Sequence, residues 1–166
     1  ITENELDICY YKAAAQYAGG DSAGAVDTYT AIIDYDKKAA DAYYLRGCVY
    51  LKQGNTEGAV SDFDEAVKNN SSDYELYVNI YENLSAYDMT EKGEEYLNKA
   101  FDIKGNSAGD YAWRGRIYYY LGQYDNAQTE LKSALDKESV IANLYIAQVY
   151  EAQGDSENAE TYYQNY

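Results

Sequence analysis

Apolar and small residues recur along this chain at three- and four-residue spacing, in segments that short polar turns separate. Residues 43–53 and 57–68 show the pattern most clearly. Such spacing places the apolar side chains on one face of a helix, whereas alternation by two would indicate a strand. Gly54 and Asn55, which lie between the two segments, favour a turn. The pattern therefore predicts a helix–turn–helix unit.

This unit repeats along the chain with a period of 34 residues. Seven of its positions have a counterpart 68 residues later, which is two periods: Tyr43, Gly47, Tyr50, Gly54, Ala59, Phe63 and Ala66 correspond to Tyr111, Gly115, Tyr118, Gly122, Ala127, Leu131 and Ala134. One such helix pair cannot bury its apolar face alone, but stacked neighbours bury it together. We expect one domain over residues 1–166 with five units, at about residues 6–39, 40–73, 74–107, 108–139 and 140–166.

Two of the units carry an Arg-Gly pair between aromatic residues, Tyr43-x-x-Arg46-Gly47-x-x-Tyr50 and Arg114-Gly115-x-x-Tyr118. With the 34-residue period, these motifs resemble the tetratricopeptide repeat family over about residues 6–166. The resemblance implies an all-α fold, a right-handed superhelical solenoid of about five helix-turn-helix repeats. It also implies a concave groove, lined by the first helix of each repeat, that binds an extended peptide or a helix of a partner.

The groove positions of the family, carried over to this sequence, give a candidate partner-binding surface. Five of them are tyrosines, a residue type enriched at binding hot spots, and two are cations suited to anchoring a carboxylate. The seven residues are Tyr10, Tyr17, Tyr44, Lys52, Arg116, Tyr119 and Tyr120. The alternative for each tyrosine is that its ring packs against neighbouring helices. The clamp with which one family subtype grips the C-terminal carboxylate of a chaperone is missing here.

The third unit departs from the others at two positions that face each other in the family. Tyr81 stands where the other units have Ala or Gly, and Gly93 stands where they have Ala. The resemblance therefore implies a size exchange, in which Gly93 makes room for the Tyr81 ring. The arginines of the two Arg-Gly pairs are expected to brace their own helix pairs, Arg46 through Asp62 and Arg114 through Glu130.

Acidic residues number 29 and basic residues 13, which gives a formal net charge of −16. This field repels nucleic acids and anionic membrane surfaces, and no apolar run reaches the ~18 residues that span a bilayer. We therefore expect neither a nucleic-acid partner nor membrane insertion. Because the acidic residues are spread along the chain without a block of like charge, we interpret them as a solvated surface rather than a cation-binding feature.

Histidine is absent from the sequence, which excludes a Ser–His–Asp triad and a Cys–His dyad. We expect no catalytic activity, no metal site and no cofactor. The two cysteines, Cys9 and Cys48, are expected to be apolar thiols at helix interfaces, with a disulfide as the alternative.

The predicted function is that of a non-catalytic scaffold that binds a peptide or helix of an unidentified protein partner in the groove. The alternatives are a structural or oligomerising array without a groove ligand, and a carrier of a small ligand such as a glycan fragment. The last helix ends on Tyr162, Tyr163 and Tyr166 with no capping helix after it, so self-association through this C-terminal edge is also predicted.

The abundance of Tyr, Asp and Asn resembles the repeat regions of bacterial surface lipoproteins. The first residue is Ile1 rather than Met, so we expect a processed protein or a fragment. Together these features favour an extracytoplasmic, cell-surface location over a cytoplasmic one.

Overall fold

The computed structural model describes residues 2–166, and Ile1 lies outside the described residues. The described part of the chain is helical, without strands, and its helices follow one another in pairs joined by short turns. The ten α-helices are α1 (Leu6–Ala18), α2 (Ser22–Tyr35), α3 (Ala40–Lys52), α4 (Thr56–Asn69), α5 (Tyr74–Ala86), α6 (Thr90–Ala100), α7 (Ala108–Tyr120), α8 (Tyr124–Leu135), α9 (Ile141–Ala152) and α10 (Ser156–Gln164). The predicted all-α fold is therefore confirmed.

The helices belong to two compact structural units, each of which contains more than one helix pair. The terms first unit and second unit refer to these two. The first unit ends at Tyr96 and the second is Leu97–Tyr166, so the boundary falls inside α6. In the first unit Ile32 and Phe63 are fully buried, and in the second unit Ile146 is fully buried as well. The expectation of one continuous domain over residues 1–166 stays a prediction.

Asp and Asn side chains start the second helix in several pairs. Asp21, Asn55 and Asp155 each accept a hydrogen bond from the backbone N–H three residues further on, at 2.9, 3.0 and 3.1 Å. These contacts satisfy a donor that the first turn of a helix leaves unpaired. The residue before the cap is a glycine with a positive φ in each of these pairs, whereas the third pair has Asp88 with φ 59° at the corresponding place. Asp88 thus adopts a left-handed conformation that glycine adopts with less strain.

The two helices of a pair approach each other most closely at small residues. A Cβ atom built on Gly47 of α3 would lie 2.7 Å from the Phe63 ring and 3.2 Å from the carbonyl oxygen of Ala59 in α4. In the second unit, a Cβ on Gly115 would lie 2.5 Å from the Leu131 side chain. An alanine at either glycine would therefore push against the core of its own helix pair.

The third pair solves the same close approach with a different combination of residues. A Cβ atom on Gly93 of α6 would lie 3.0 Å from the Tyr81 ring and 3.1 Å from the Tyr81 Cα. The ring thus occupies the space beside Gly93 that a methyl group would need. This close contact is the arrangement that the predicted size exchange between Tyr81 and Gly93 requires.

A buried ion pair braces the second helix pair. Arg46 donates from Nε and Nη2 to the two carboxylate oxygens of Asp62 at 2.8 and 2.7 Å, and from Nη1 to the Thr30 hydroxyl at 2.9 Å. The Arg46 and Asp62 side chains are only 15% and 6% exposed. In the second unit Arg114 donates from Nε to Glu130 at 2.8 Å. Both predicted braces are confirmed.

The two thiols, Cys9 and Cys48, are free and half-buried. Burial raises the pKa of Cys48 to about 11, so this thiol is protonated, and therefore weakly nucleophilic, near neutral pH. None of the helices within residues 2–166 has the length and apolar character needed to cross a bilayer.

Replacing Gly93 by Leu is expected to lower the free energy of unfolding by about 1–3 kcal/mol, because the added side chain overpacks the Tyr81 contact. Urea denaturation of the two proteins measures the difference. Gly109→Leu is the matched control, since a Cβ at Gly109 would meet only the Ser107 hydroxyl, at 3.7 Å. Equal stability of Gly93→Leu and the parent would contradict the size exchange.

Replacing Asp62 by Ala is expected to cost about 3 kcal/mol in unfolding free energy, because it leaves the Arg46 charge buried without its partner. Glu65→Ala removes the partner of Lys68 from an exposed pair, whose side chains are 69% and 39% accessible. That control is expected to cost at most about 0.5 kcal/mol. Similar losses in the two variants would show that the Arg46–Asp62 pair does not brace the fold.

Candidate partner-binding surface

A groove of about 650 Å³ lies on the first helices of three successive repeats in the first unit, α1, α3 and α5. Three positions of the repeat supply most of its lining. The second helical position gives Asp7, Asp41 and Glu75, the fifth gives Tyr10 and Tyr44, and the sixth gives Tyr11, Leu45 and Asn79. Leu76 and Asp73 complete it. The groove therefore has a tyrosine- and leucine-lined wall with carboxylates along it.

The two predicted tyrosines that line this groove, Tyr10 and Tyr44, are half-buried. The Tyr10 ring lies 6.4 Å from the Tyr29 ring, and the Tyr44 ring lies 5.9 Å from that of Phe63. The Tyr44 hydroxyl accepts a hydrogen bond of 2.9 Å from Nδ2 of Asn83. Each ring is thus held by the core on one side and presents the other side to the groove.

The hydroxyl of Tyr10 lies in a negative electrostatic environment. Burial, followed by the charges of Asp41 and Asp36, raises the pKa of Tyr10 to about 12. The charge of Asp41, a groove carboxylate, is thus felt at a neighbouring groove tyrosine.

Two further candidates, Tyr17 and Lys52, contact each other. The ammonium nitrogen of Lys52 lies 4.4 Å from the centroid of the Tyr17 ring, which is a cation–π contact. Burial raises the pKa of Tyr17. The groove lining includes neither residue.

The other three candidates lie on α7 of the second unit, among several aromatic rings. The guanidinium carbon of Arg116 lies 5.4, 5.5 and 5.6 Å from the ring centroids of Trp113, Tyr120 and Tyr145. Its Nη2 donates to the Tyr120 hydroxyl at 3.0 Å. The rings of Tyr119 and Tyr120 are 5.6 Å apart. Arg116 is therefore a cation whose planar head is oriented by its aromatic neighbours.

The row of groove carboxylates was not predicted from the sequence. Asp7, Asp41 and Glu75 recur at the same 34-residue spacing that revealed the repeat. That spacing was the signal that could have found them, but 29 acidic residues in the chain hide a periodic subset. The structure shows which of these acids share one groove.

The C-terminal edge exposes two of the tyrosines on which the self-association prediction rests. Tyr163 is 37% exposed and Tyr166 is 58% exposed. The Tyr163 hydroxyl donates to Glu151 at 2.6 Å. Self-association through this edge stays a prediction.

Comparison with known families and curated proteins reveals tetratricopeptide relatives. A family model described as the tetratricopeptide repeat matches residues 10–74 and 114–166. A TPR repeat-containing protein of Methanocaldococcus jannaschii is 25% identical over 161 residues, an alignment that covers 89% of this chain. This chain spans only 28% of the length of that relative.

Several solved structures share the fold. PilW, a widely conserved type IV pilus biogenesis factor, has a TM-score of 0.60 at 18% identity, over 99% of this chain and 77% of its own. PilF of Pseudomonas aeruginosa has a TM-score of 0.61 at 14% identity, over 98% and 75%. MamA has a TM-score of 0.54 at 19% identity, over 99% and 91%. These similarities confirm the predicted all-α solenoid fold.

Replacing Asp41 by Asn is expected to lower the pKa of Tyr10 from about 12, because it removes a negative charge that opposes ionisation of the phenol. The titration of the tyrosine Cζ atoms by ¹³C NMR measures this pKa, and Tyr10→Phe identifies the resonance. Asp27→Asn, which removes an exposed acid on α2, is the control. An unchanged Tyr10 pKa in Asp41→Asn would show that this charge does not reach the phenol.

The raised pKa of Tyr10 also makes the stability of the fold depend on pH. The folded-state pKa of Tyr10 lies above the ordinary value of 10.0, so between these two values the folded state binds more protons than the unfolded state. The contribution of Tyr10 to stability is therefore present below about pH 10 and is lost as the pH rises towards 12.

Proposed function

This chain belongs to the tetratricopeptide repeat family, and we propose that it is a non-catalytic scaffold that binds a peptide or helix of a protein partner on the first helices of its repeats. Members of the family are commonly protein-interaction scaffolds without catalytic activity. The observation that carries the proposal is the groove on α1, α3 and α5 of the first unit. Its size, about 650 Å³, suits several side chains of an extended segment rather than a single atom or ion.

The groove tyrosines support this proposal because their rings are already held in place. Tyr10 packs on Tyr29 and Tyr44 packs on Phe63, so a partner does not have to immobilise either ring. Contacts made by preorganised side chains lose less conformational entropy on binding. Such tyrosines offer an apolar face and a hydroxyl to the same ligand.

The two candidate cations serve the same scaffold function in this proposal. Lys52 lies against Tyr17, and Arg116 lies among Trp113, Tyr120 and Tyr145. The Lys52 ammonium group on its ring face retains the ability to donate to a carboxylate of a partner. We assign Arg116, Tyr119 and Tyr120 to a second contact surface, on α7.

A second candidate function is an array that assembles with copies of itself. The observation that favours it is the exposure of Tyr163 and Tyr166 at the C-terminal edge. In that case the partner would be another copy of this chain. Crosslinking from the groove distinguishes the two functions, because the mass of the product differs between another protein and a second copy of this chain.

A photoreactive benzoylphenylalanine at Tyr11 is expected to crosslink a protein partner in native cell extract, because Tyr11 lines the groove and is 78% exposed. The same amino acid at Tyr35, which is 48% exposed on the second helix of the same pair, is the matched control. Mass spectrometry identifies the products.

Stronger crosslinking to a partner from position 11 than from position 35 would support the scaffold. Equal or absent crosslinking at position 11 would contradict it. A product made of two copies of this chain would favour the self-assembling array.

A further inference from the structure

We propose that the groove of the first unit binds a cationic segment, an extended stretch of a partner protein that carries lysine or arginine side chains. This inference rests on the proposed scaffold function and specifies the chemistry of its partner. The groove offers such a segment two kinds of contact at once, the faces of Tyr10 and Tyr44 and the carboxylates of Asp7, Asp41 and Glu75. We call these three carboxylates the acidic row.

The acidic row occupies one equivalent position in the three repeats of the first unit. Each member is the second residue of a first helix, in α1, α3 and α5, and each carboxylate is exposed on the groove. Asp73 also lines the groove, but its carboxylate accepts the backbone N–H groups of Glu75 and Leu76 at 3.0 and 3.3 Å. Asp73 therefore starts α5, whereas the acidic row remains available to a ligand.

The acidic row lacks an ion-pair partner in the part of the chain that the structure describes. Within residues 2–166, no lysine or arginine forms an ion pair with these three carboxylates. Other exposed acids of the same unit do have a neighbour of opposite charge, as in the pair of Lys37 with Asp34 at 2.6 Å. The row thus leaves negative charge on the groove that a partner can neutralise.

Lys52, which is one of the two cations predicted to bind a partner, is too distant to neutralise the acidic row. Lys52 ends α3, eleven residues after Asp41, and a helical rise of 1.5 Å per residue puts the two about 16 Å apart along the axis. This separation is about twice the screening length of about 8 Å at physiological salt. The Lys52 ammonium group contacts Tyr17 instead.

Helix geometry explains how the row persists without a cation. Asp7, Asp41 and Glu75 lie in the first turns of their helices, where the helix dipole stabilises negative charge. The row is thus stable in the unbound protein. A cationic partner adds a favourable interaction without first having to break an internal ion pair.

The tyrosines of the groove fit the same partner. Cations of this molecule already contact tyrosine faces, with Lys52 at 4.4 Å from the Tyr17 centroid and Arg46 at 5.7 Å from that of Tyr43. A lysine or arginine of a partner can contact Tyr10 or Tyr44 in this way while a carboxylate of the row balances its charge. A bound metal ion fits less well, since the described residues contain no group of three or more potential ligands arranged to hold one.

The test uses a fluorescein-labelled twelve-residue peptide of alternating lysine and serine, and a second peptide with glutamate in place of lysine. In an extended peptide this alternation puts all charged side chains on one face. The groove variant is Asp7→Asn/Asp41→Asn/Glu75→Gln. The control is Asp27→Asn/Glu57→Gln/Glu91→Gln, which removes three exposed acids from the second helices α2, α4 and α6 and changes the net charge equally.

Fluorescence anisotropy is expected to show that the groove variant binds the lysine peptide about tenfold more weakly than the parent, since three exposed charge pairs each contribute a fraction of a kcal/mol. The control variant is expected to change the affinity less than twofold. The glutamate peptide is expected to bind at least tenfold more weakly than the lysine peptide. Circular dichroism verifies that both variants keep their helix content.

Equal weakening in the two variants would mean that binding follows net charge alone, and it would overturn the inference. Binding of the glutamate peptide as tight as that of the lysine peptide would overturn it as well. A partner that crosslinks at position 11 but binds the groove variant as tightly as the parent would contradict the preference for a cationic segment. That result would still support the scaffold function. Selective loss of lysine-peptide binding without any native crosslink would contradict the scaffold instead.

Discussion

The close approach of two helices at small residues is the constraint on which every repeat depends. Where α3 crosses α4, Gly47 lies against Phe63 and the Ala59 backbone with no room for a methyl group. Ala13 and Ala25 of the first pair are fully buried as well. Because these two crossings have no room for large side chains, the large residues of these pairs pack to either side of the crossing. Phe63 enters the core there, whereas tyrosines such as Tyr44 reach the edge of the first helix.

The scarcity of cations determines what the surface can offer. Arg46 lies in a buried ion pair with Asp62, and Arg114 is paired with Glu130. Lys52 and Arg116 lie against aromatic rings. These four cations are committed to other contacts, and the acids of the groove in the first unit have no ion-pair partner among the described residues. The distribution of the few cations therefore determines where the net negative charge is available to a partner.

The fold could be predicted from the sequence because its determinants are local and periodic. The turn predicted at Gly54-Asn55 is a turn, and Asn55 caps the helix that follows. The exchange of Tyr81 with Gly93 could also be predicted, since the two positions belong to one repeat and a departure from its pattern is visible in one chain.

The candidate site could be predicted only in part because its contacts join different repeats. The Asn83 amide reaches the Tyr44 hydroxyl across 39 residues of sequence, and the Lys52 contact with Tyr17 likewise joins two repeats. A repeat pattern indicates which residues occupy equivalent positions, but it does not indicate which side chains of neighbouring repeats contact each other. That information depends on how neighbouring helices pack, so the half-burial of Tyr10 and Tyr44 emerged only in three dimensions.

Tyr10 and Tyr44 each contact the core with one side of the ring and line the groove with the other. Tyr10 rests on Tyr29 within the core of the first unit, while its hydroxyl is exposed to the charge of Asp41 in the groove. A side chain held in this way has little freedom to adapt, so a ligand must fit a fixed ring and a fixed row of charge. Because these groups project from helices rather than from loops, their spacing is set by the repeat itself. The same small-residue crossing that builds the solenoid therefore also positions the surface that a partner would recognise.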